Sequence, residues 1–241
     1  MPEAPWIFPY RADDPEILDD FDLPENDLAR NLRELESVNR YLGGHSILET
    51  GMARIVKRRE GTQYLHLVDV GCGGGDSLRF MASLARKHKW PVRFTGIDAN
   101  KKAVELAREK NRSYPEVKVE QMDVFSPGFR QLQADIFTFN LVLHHFDDQL
   151  IKELLSTCHQ QGDILINDLQ RNRLAFFSFA LFSRLMRFSF ISRHDGLLSI
   201  RKSFSRSELY KLLANTGING GVISWHWAFR YLVLIPMRNS D

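Results

Sequence analysis

The chain reads as an α/β protein, a doubly wound and mostly parallel sheet with helices on both faces and an antiparallel hairpin at its C-terminal end. Three observations predict this. Apolar strand-like runs alternate with helical ones from Tyr64 to Leu169, and their short connections suit a parallel sheet covered on both sides. The stretch "VDVGCGGGDSL", Val68–Leu78, puts four glycines into five positions directly after an apolar run. Bare backbone at a strand-to-helix turn means positive φ or a ligand pressed against the main chain. The last two runs, Gly221–Trp227 and Arg230–Pro236, lie almost back to back. No crossover fits between them, so they pair antiparallel.

The elements follow in order. Residues 1–27 are rich in proline and acid and read as an irregular arm. Leu28, Leu32, Leu35, Val38 and Leu42 recur at helical spacing and stop at Gly43-Gly44. A second helix spans Ile47–Lys57, its apolar side made by Ile47, Leu48, Met52, Ile55 and Val56. The alternation then runs strand Tyr64–Val70, helix Ser77–Lys87, strand Val92–Ile97, and helix Lys101–Lys110 capped by Asn100. Strands Val117–Met122 and Asp135–Val142, a helix from Asp147 to His159 and strand Ile164–Leu169 complete it. After Leu169 the rhythm breaks for some 35 residues, then resumes with helix Ser207–Ala214, ended by Gly217. The expected organisation is therefore an arm with site-closing helices over residues 1–60, then a ligand-binding domain over 61–241 with an inserted lid at 170–204.

Composition excludes several classes. With 241 residues, 44% hydrophobic and 26% charged, the chain can bury a sizeable core. A net charge of +2 demands no polyanionic partner. Two cysteines, Cys72 and Cys158, argue against a disulfide framework. The start, "MPEAPWIFPYRADDPEI", has neither the basic nor the apolar region of a signal peptide. The most apolar run, Leu174–Ile191, is interrupted by Arg184 and Arg187 and makes a poor spanning helix. A cytoplasmic location is the expectation.

A dinucleotide, a nucleotide phosphate or S-adenosylmethionine (SAM) could each explain the glycines. In the dinucleotide fingerprint G-x-G-x-x-G, Gly71, Cys72 and Gly73 fit, but Asp76 stands where the third glycine belongs. No Gly-Lys-Ser/Thr follows for a P-loop. The acids at the strand ends sharpen the choice. Asp69 could hold an amine, Asp98 in "FTGIDAN" the two hydroxyls of a ribose, and Asp123 in "EQMDVF" an exocyclic amine. Asn140 in "FNLVLHHF" ends the fourth strand. Four consecutive strand ends thus carry a short polar residue at the rim of one sheet.

"VDVGCGGG", "GIDAN", "QMDVF" and "NLVLHHFDD" resemble the successive motifs of class I SAM-dependent methyltransferases, whose fold is Rossmann-like. The resemblance covers Tyr64 to Leu169, with "GVISWHWAFRYLVLIPM" similar to that fold's last strands. It implies SAM as cofactor. The Gly71, Cys72, Gly73 and Gly75 backbone would lie along the methionine part, Asp69 near its amino group, Asp98 with Ala99 at the ribose and Asp123 with Val124 at the adenine. Asn140 and Leu141 would line the sulfonium side. "NRYLGGH", "INDLQRN" and "RHDGLLSIRKSF" are similar to a bacterial subgroup acting on small molecules in polyketide and related secondary-metabolite pathways.

Methyl transfer needs an in-line nucleophile, a dry site and sometimes a base. The candidate bases are His144, His145 and His194, the last beside Asp195. None of the eight histidines shows the H-x₃-H spacing of a helical ligand pair, so no metal is expected. Leu174–Ile191 holds six of the 17 phenylalanines with Arg171, Arg173, Arg184, Arg187 and Arg193 around it. A packed lid, the wall of an apolar acceptor pocket, and a membrane-surface or homodimer contact remain open for it. Arg54, Lys57, Arg58 and Arg59 read as a solvated face. The leading expectation is a methyltransferase for an apolar, aromatic or polyketide-like small molecule. The alternatives are a non-catalytic SAM- or nucleotide-binding partner subunit and a tRNA methyltransferase, the latter opposed by the modest charge.

Overall fold

The computed structural model describes residues 8–59, 61, 64–218 and 220–238. Of the stretch read against a signal peptide, residues 1–7 lie outside the described residues. Strands β1 (Leu65–Val70), β2 (Val92–Asp98), β3 (Val117–Gln121), β4 (Ile136–Asn140), β5 (Asp163–Leu169), β6 (Val222–His226) and β7 (Arg230–Ile235) join one sheet. Their order is β3-β2-β1-β4-β5-β7-β6. β1 to β5 are parallel, and β7 runs antiparallel to both β5 and β6. This is the expected Rossmann-like doubly wound sheet with its antiparallel hairpin.

Period-two patterning decides which side chain meets which helix layer. Leu65 and Leu67 of β1 face a core with Leu48 and Met52 of α2 (Gly44–Arg58) and Met81 of α3 (Asp76–His88). Val68 and Val70 face the opposite core, with Leu154 and Leu212. α1 (Glu25–Tyr41) precedes these layers; α4 (Lys101–Asn111) and a short α5 (Pro127–Gln131) follow β2 and β3. α6 (Asp148–His159), α7 (Arg173–Leu185), α8 (Phe190–Lys202) and α9 (Arg206–Asn215) complete the helices. Strand order reverses between β1 and β4, which opens a crevice at their carboxyl ends.

Several boundaries differ from expectation for local reasons. α1 starts at Glu25 rather than Leu28, with Pro24 at its cap position. β4 stops at Asn140 because Leu141 takes φ +58°, and the chain turns into a 3₁₀ segment, Leu143–His145. The Phe-rich insert is two helices. α7 ends where Arg187 adopts φ +54° and Phe188 N–H donates back to Ser183 O, a left-handed cap with no glycine to announce it. The described part of the arm contains a 3₁₀ turn, Ile17–Asp19, and is tied down: Arg11 donates to Lys202 O and Phe146 O, and Arg171 to Phe8 O and Pro9 O. Arg58 and Arg59 do not form the expected solvated face. Both meet the buried Asp163 carboxylate, at 3.0 and 3.1 Å.

Candidate active site

The loop after β1 has the bare backbone that its glycines require. Gly71, Gly73 and Gly75 all take positive φ, and a Cβ on Gly71 would collide with the Val142 side chain. The loop is fastened from both sides: Gly73 N–H donates to Asp98 Oδ2 at 2.9 Å, and Cys72 N–H to Ile97 O. Cys72 is buried, and burial pushes its thiol well up, so it acts here through its backbone.

Asp69 lies at the floor of this loop, buried, with Oδ1 accepting from Thr138 Oγ1 at 2.7 Å. Its Oδ2 has no hydrogen-bond partner among the described residues. Burial pushes the carboxyl up to about 7, helped by the charges of Asp76 and Asp98 and opposed by the Thr138 bond. A buried acceptor of this kind is costly unless a donor completes it, and it fits an ammonium group. Asp76 is taken up by Asn39, which donates to it at 3.0 Å. Asp98 Oδ1 accepts from Asn100 N–H, and burial raises its pKa against that bond and the one from Gly73. Asp98 and Ala99 both line the crevice, and a carboxylate has lone pairs beyond those two bonds. Asp123 lies two residues beyond β3, its Oδ1 accepting from Phe125 N–H, with Val124 next to it on the wall. Asn140 donates to Ser77 Oγ and accepts from Asn167, and Leu141 lines the same cavity.

Asp69, Gly71, Cys72, Gly73, Asp98, Ala99, Asp123, Val124, Asn140 and Leu141 border one cavity of about 810 Å³, and Gly75 does not line it. Sites for drug-sized ligands span roughly 300–1,000 Å³, so this one has room for an acceptor beside a cofactor. On the same cavity, His144 is buried and its Nδ1 sits 2.7 Å from Asp168 Oδ1. Burial pushes the Asp168 carboxyl up, but the charge and hydrogen bond of His144 and the Leu169 N–H outweigh it, leaving it below its ordinary value. His144 Nε2 faces Glu16 Oε1 at 3.8 Å. His145 Nδ1 meets Asp19 Oδ1 at 3.0 Å, and its Nε2 lies 3.9 Å from Glu16 Oε2. Burial lowers the His145 pKa, yet the Asp19 bond and the Glu16 and Asp19 charges leave it raised.

Glu16, His144 and His145 thus present ligand atoms within 4.8 Å of one another, a grouping no histidine spacing could reveal. A cation already sits beside it. The buried Lys202 ammonium lies 3.7 Å from Glu16 Oε1 and 3.8 Å from Asp19 Oδ2. His194 is not brought to this cavity. Its side chain is nearly half exposed, bonds to the adjacent Asp195 at 2.8 Å, and borders a shallower hollow with Phe8 and Phe176. Asp195 meanwhile accepts from Ile17 and Leu18 N–H, holding the arm in place.

Residues 67–162 match the family model described as a methyltransferase domain. That segment, and not the whole chain, is matched as a methyltransferase domain. Similar folds include the citrinin polyketide synthase CMeT domain (15% identity, TM-score 0.55, covering 73% of this chain and 47% of that one). A second is a SAM dependent methyltransferase from Aquifex aeolicus (15% identity, TM-score 0.59, covering 90% and 100%). A third is the plantazolicin methyltransferase BpumL in complex with a pentazolic desmethylPZN analog and SAH (18% identity, TM-score 0.62, covering 92% and 100%). The chain spans about half the length of the citrinin protein and of the CurJ carbon methyltransferase. No curated protein matches the sequence.

The methyltransferase domain as matched ends before Asp168, and before the arm's partners on α8. Sequence reasoning missed Glu16, Asp19, Asp168 and Lys202. Asp168 had a signal, since it continues the series of short polar residues at strand ends in "INDLQRN". It also missed Arg230, fully buried on β7, which donates to Leu42 O at 2.8 Å and reaches Asn39 and Asn167 at 3.5 Å. Burial lowers its pKa to about 10 against the charges of Asp168 and Asp76.

Proposed function

We propose that the protein transfers a methyl group from SAM to an apolar small molecule, aromatic or polyketide-like, with His144 as general base. The observation that carries this is the buried His144–Asp168 pair in an apolar cavity shared with the glycine loop. When bound, SAM supplies an electrophilic methyl on a sulfonium. Asp69 would offer its unpartnered Oδ2 to the amino group, the backbone of Gly71 to Gly74 would take the methionine part, Asp98 and Ala99 would hold the ribose, and Asp123 and Val124 the adenine. Asn140 and Leu141 face the sulfonium side. Among the described residues, the arm from Phe8 and helix α1 cover the site, with Leu28 and Leu32 of α1 on its wall.

The proton chemistry belongs to this chain. An ionised Asp168 accepts Nδ1–H of His144, which leaves the Nε2 lone pair free to take a proton from an acceptor hydroxyl or activated carbon. Glu16, facing Nε2, stabilises the imidazolium that forms, and Ser199 donates to Glu16 at 2.9 Å and fixes its orientation. Lys202 balances the carboxylates of the arm. His145 is a positioning residue: it clamps Asp19, and with it the arm, over the loop after β4. Phe179 and Phe182 of α7 form the apolar wall and exclude water. The mostly apolar lining suits a small-molecule acceptor.

The test is a methyl-transfer screen with labelled SAM over phenols, quinols, β-dicarbonyl compounds, fatty acids and tRNA. Transfer to a lipophilic phenol, quinol or activated methylene, lost on His144→Ala with SAM affinity retained, supports the reading. SAM binding without turnover on any acceptor favours the non-catalytic subunit. Turnover only on tRNA overturns the substrate class.

A further inference from the structure

We propose that the outer face of α7, the helix whose inner face walls the acceptor chamber, docks on an anionic lipid surface. α7 has two apolar faces. Ala175, Phe179 and Phe182 turn inward to the cavity. Leu174, Phe177, Leu181 and Leu185 fall at spacings of three and four on the other side, one stripe along a helix. These four side chains are 65%, 56%, 61% and 74% exposed, and Phe190, at the start of α8, is 67% exposed. Nothing among the described residues covers them. A contiguous apolar stripe of this kind marks an interaction surface.

Charge names the occupant. From Gln170 to His194 the sequence contains five arginines and no Asp or Glu. Arg173, Arg184 and Arg187 are exposed and make no ion pair among the described residues. Arg173 and Arg184 flank the stripe, and Arg187 follows it. A second copy of the chain would bring the same patch onto itself in a two-fold contact, arginine against arginine with no carboxylate from this segment to offset it. An anionic bilayer complements both features: apolar side chains enter the acyl boundary while arginines meet headgroup phosphates. No described helix is long and apolar enough to cross a membrane, so the contact is one of lying on the surface. Trp227, 65% exposed and on the rim of the same cavity, adds an amphipathic aromatic near the chamber. Delivery of a lipophilic acceptor from the bilayer rests on the function proposed above; the docking itself does not.

The experiment is co-sedimentation of the full chain with phosphatidylcholine vesicles, with and without phosphatidylglycerol, at low and high salt. Each exposed arginine near an anionic surface favours binding about fivefold, so three predict on the order of a hundredfold preference for the anionic vesicles, falling with salt. Phe177→Glu and Leu181→Glu should each weaken binding about tenfold or more, since a charge enters the apolar face. Leu181 points outward, so Leu181→Glu should leave melting temperature and SAM affinity unchanged; Phe177→Glu, whose ring meets Phe176, should leave SAM affinity unchanged. R184E with R187E should remove the preference for phosphatidylglycerol. Binding to neither vesicle overturns the proposal, as does binding that ignores Leu181→Glu. A stable dimer that Leu181→Glu disperses also overturns it, because the stripe is then covered by a second copy. Sedimentation is read without turnover, so a failed acceptor screen and a failed docking test are separate results.

Discussion

SAM affinity should depend on pH through one buried carboxylate. In the free protein the Asp69 carboxyl is pushed up to about 7, chiefly by burial, and its Oδ2 has no donor. An ammonium can use that oxygen only when the group is ionised, so binding draws the pKa down and releases a proton. With a value near 7, roughly 3% of sites are ionised at about pH 5.5 and roughly three-quarters at about pH 7.5. Affinity should therefore rise about 25-fold across that window, on the order of 2 kcal/mol. The window closes near pH 8, where an α-amino group itself begins to lose its proton. Calorimetry at several pH values, in buffers of different ionisation enthalpy, reads both the affinity and the released proton. Asp69→Asn should bind weakly and show a flat profile. The same linkage runs in stability: between about pH 4 and 7 the unfolded chain ionises first, so the free protein should lose stability as pH rises, and bound SAM should remove that loss. A wild-type affinity that does not change between pH 5.5 and 7.5, or an Asn variant that keeps the slope, would refute the placing of an ammonium at Asp69.

Four further expectations concern the acceptor chemistry. Asp168→Asn keeps the shape of the pair but not its charge; turnover should fall about 10²- to 10⁴-fold, the range of a general base, with SAM affinity within about threefold. Unchanged turnover with an unchanged pH profile would remove His144 from the chemistry, and His194→Ala, outside the cavity, should leave turnover near normal. Phe182→Ser should raise acceptor KM while Phe176→Ser, whose ring packs on Phe8, should lower melting temperature and spare KM; the opposite pattern would make α7 a mere lid. Because Lys202 already sits beside Glu16, activity should survive a chelator, and stimulation by zinc or manganese would refute that reading.

What the sequence disclosed was local. The glycine loop, the strand-end acids Asp69 and Asp98, and the alternation of β1 to β5 each depend on neighbours a few residues away, and pattern reading reaches them. The hairpin of β6 and β7 followed from a connection too short for anything else. Failures came where tertiary contact overrides local habit. Arg187 ends α7 in a conformation usually left to glycine, so one apolar run hid two helices. Arg58 and Arg59 looked solvated because Asp163, their partner, lies more than 100 residues away. The grouping of Glu16, His144, His145 and Lys202 joins three remote segments, and no spacing rule connects them.

The arm has a consequence for how the protein is made. Arg11 reaches Lys202, Ala12 bonds Arg201 O, and Ile17 and Leu18 bond Asp195, contacts separated by nearly the whole described chain. The arm leaves the ribosome long before these partners exist. At roughly 5–20 residues per second, the 191 residues between Arg11 and Lys202 take about 10–40 s to synthesise. During that interval Glu16 and Asp19 have no histidine or lysine to meet, and Phe8 and Phe21 have no wall to cover. Closing so long a loop comes late because its entropy must be overcome before any contact rewards it. Strands β1 to β5 and the glycine loop can therefore form while the chamber is still open on one side, and the chamber closes only when the arm meets α8.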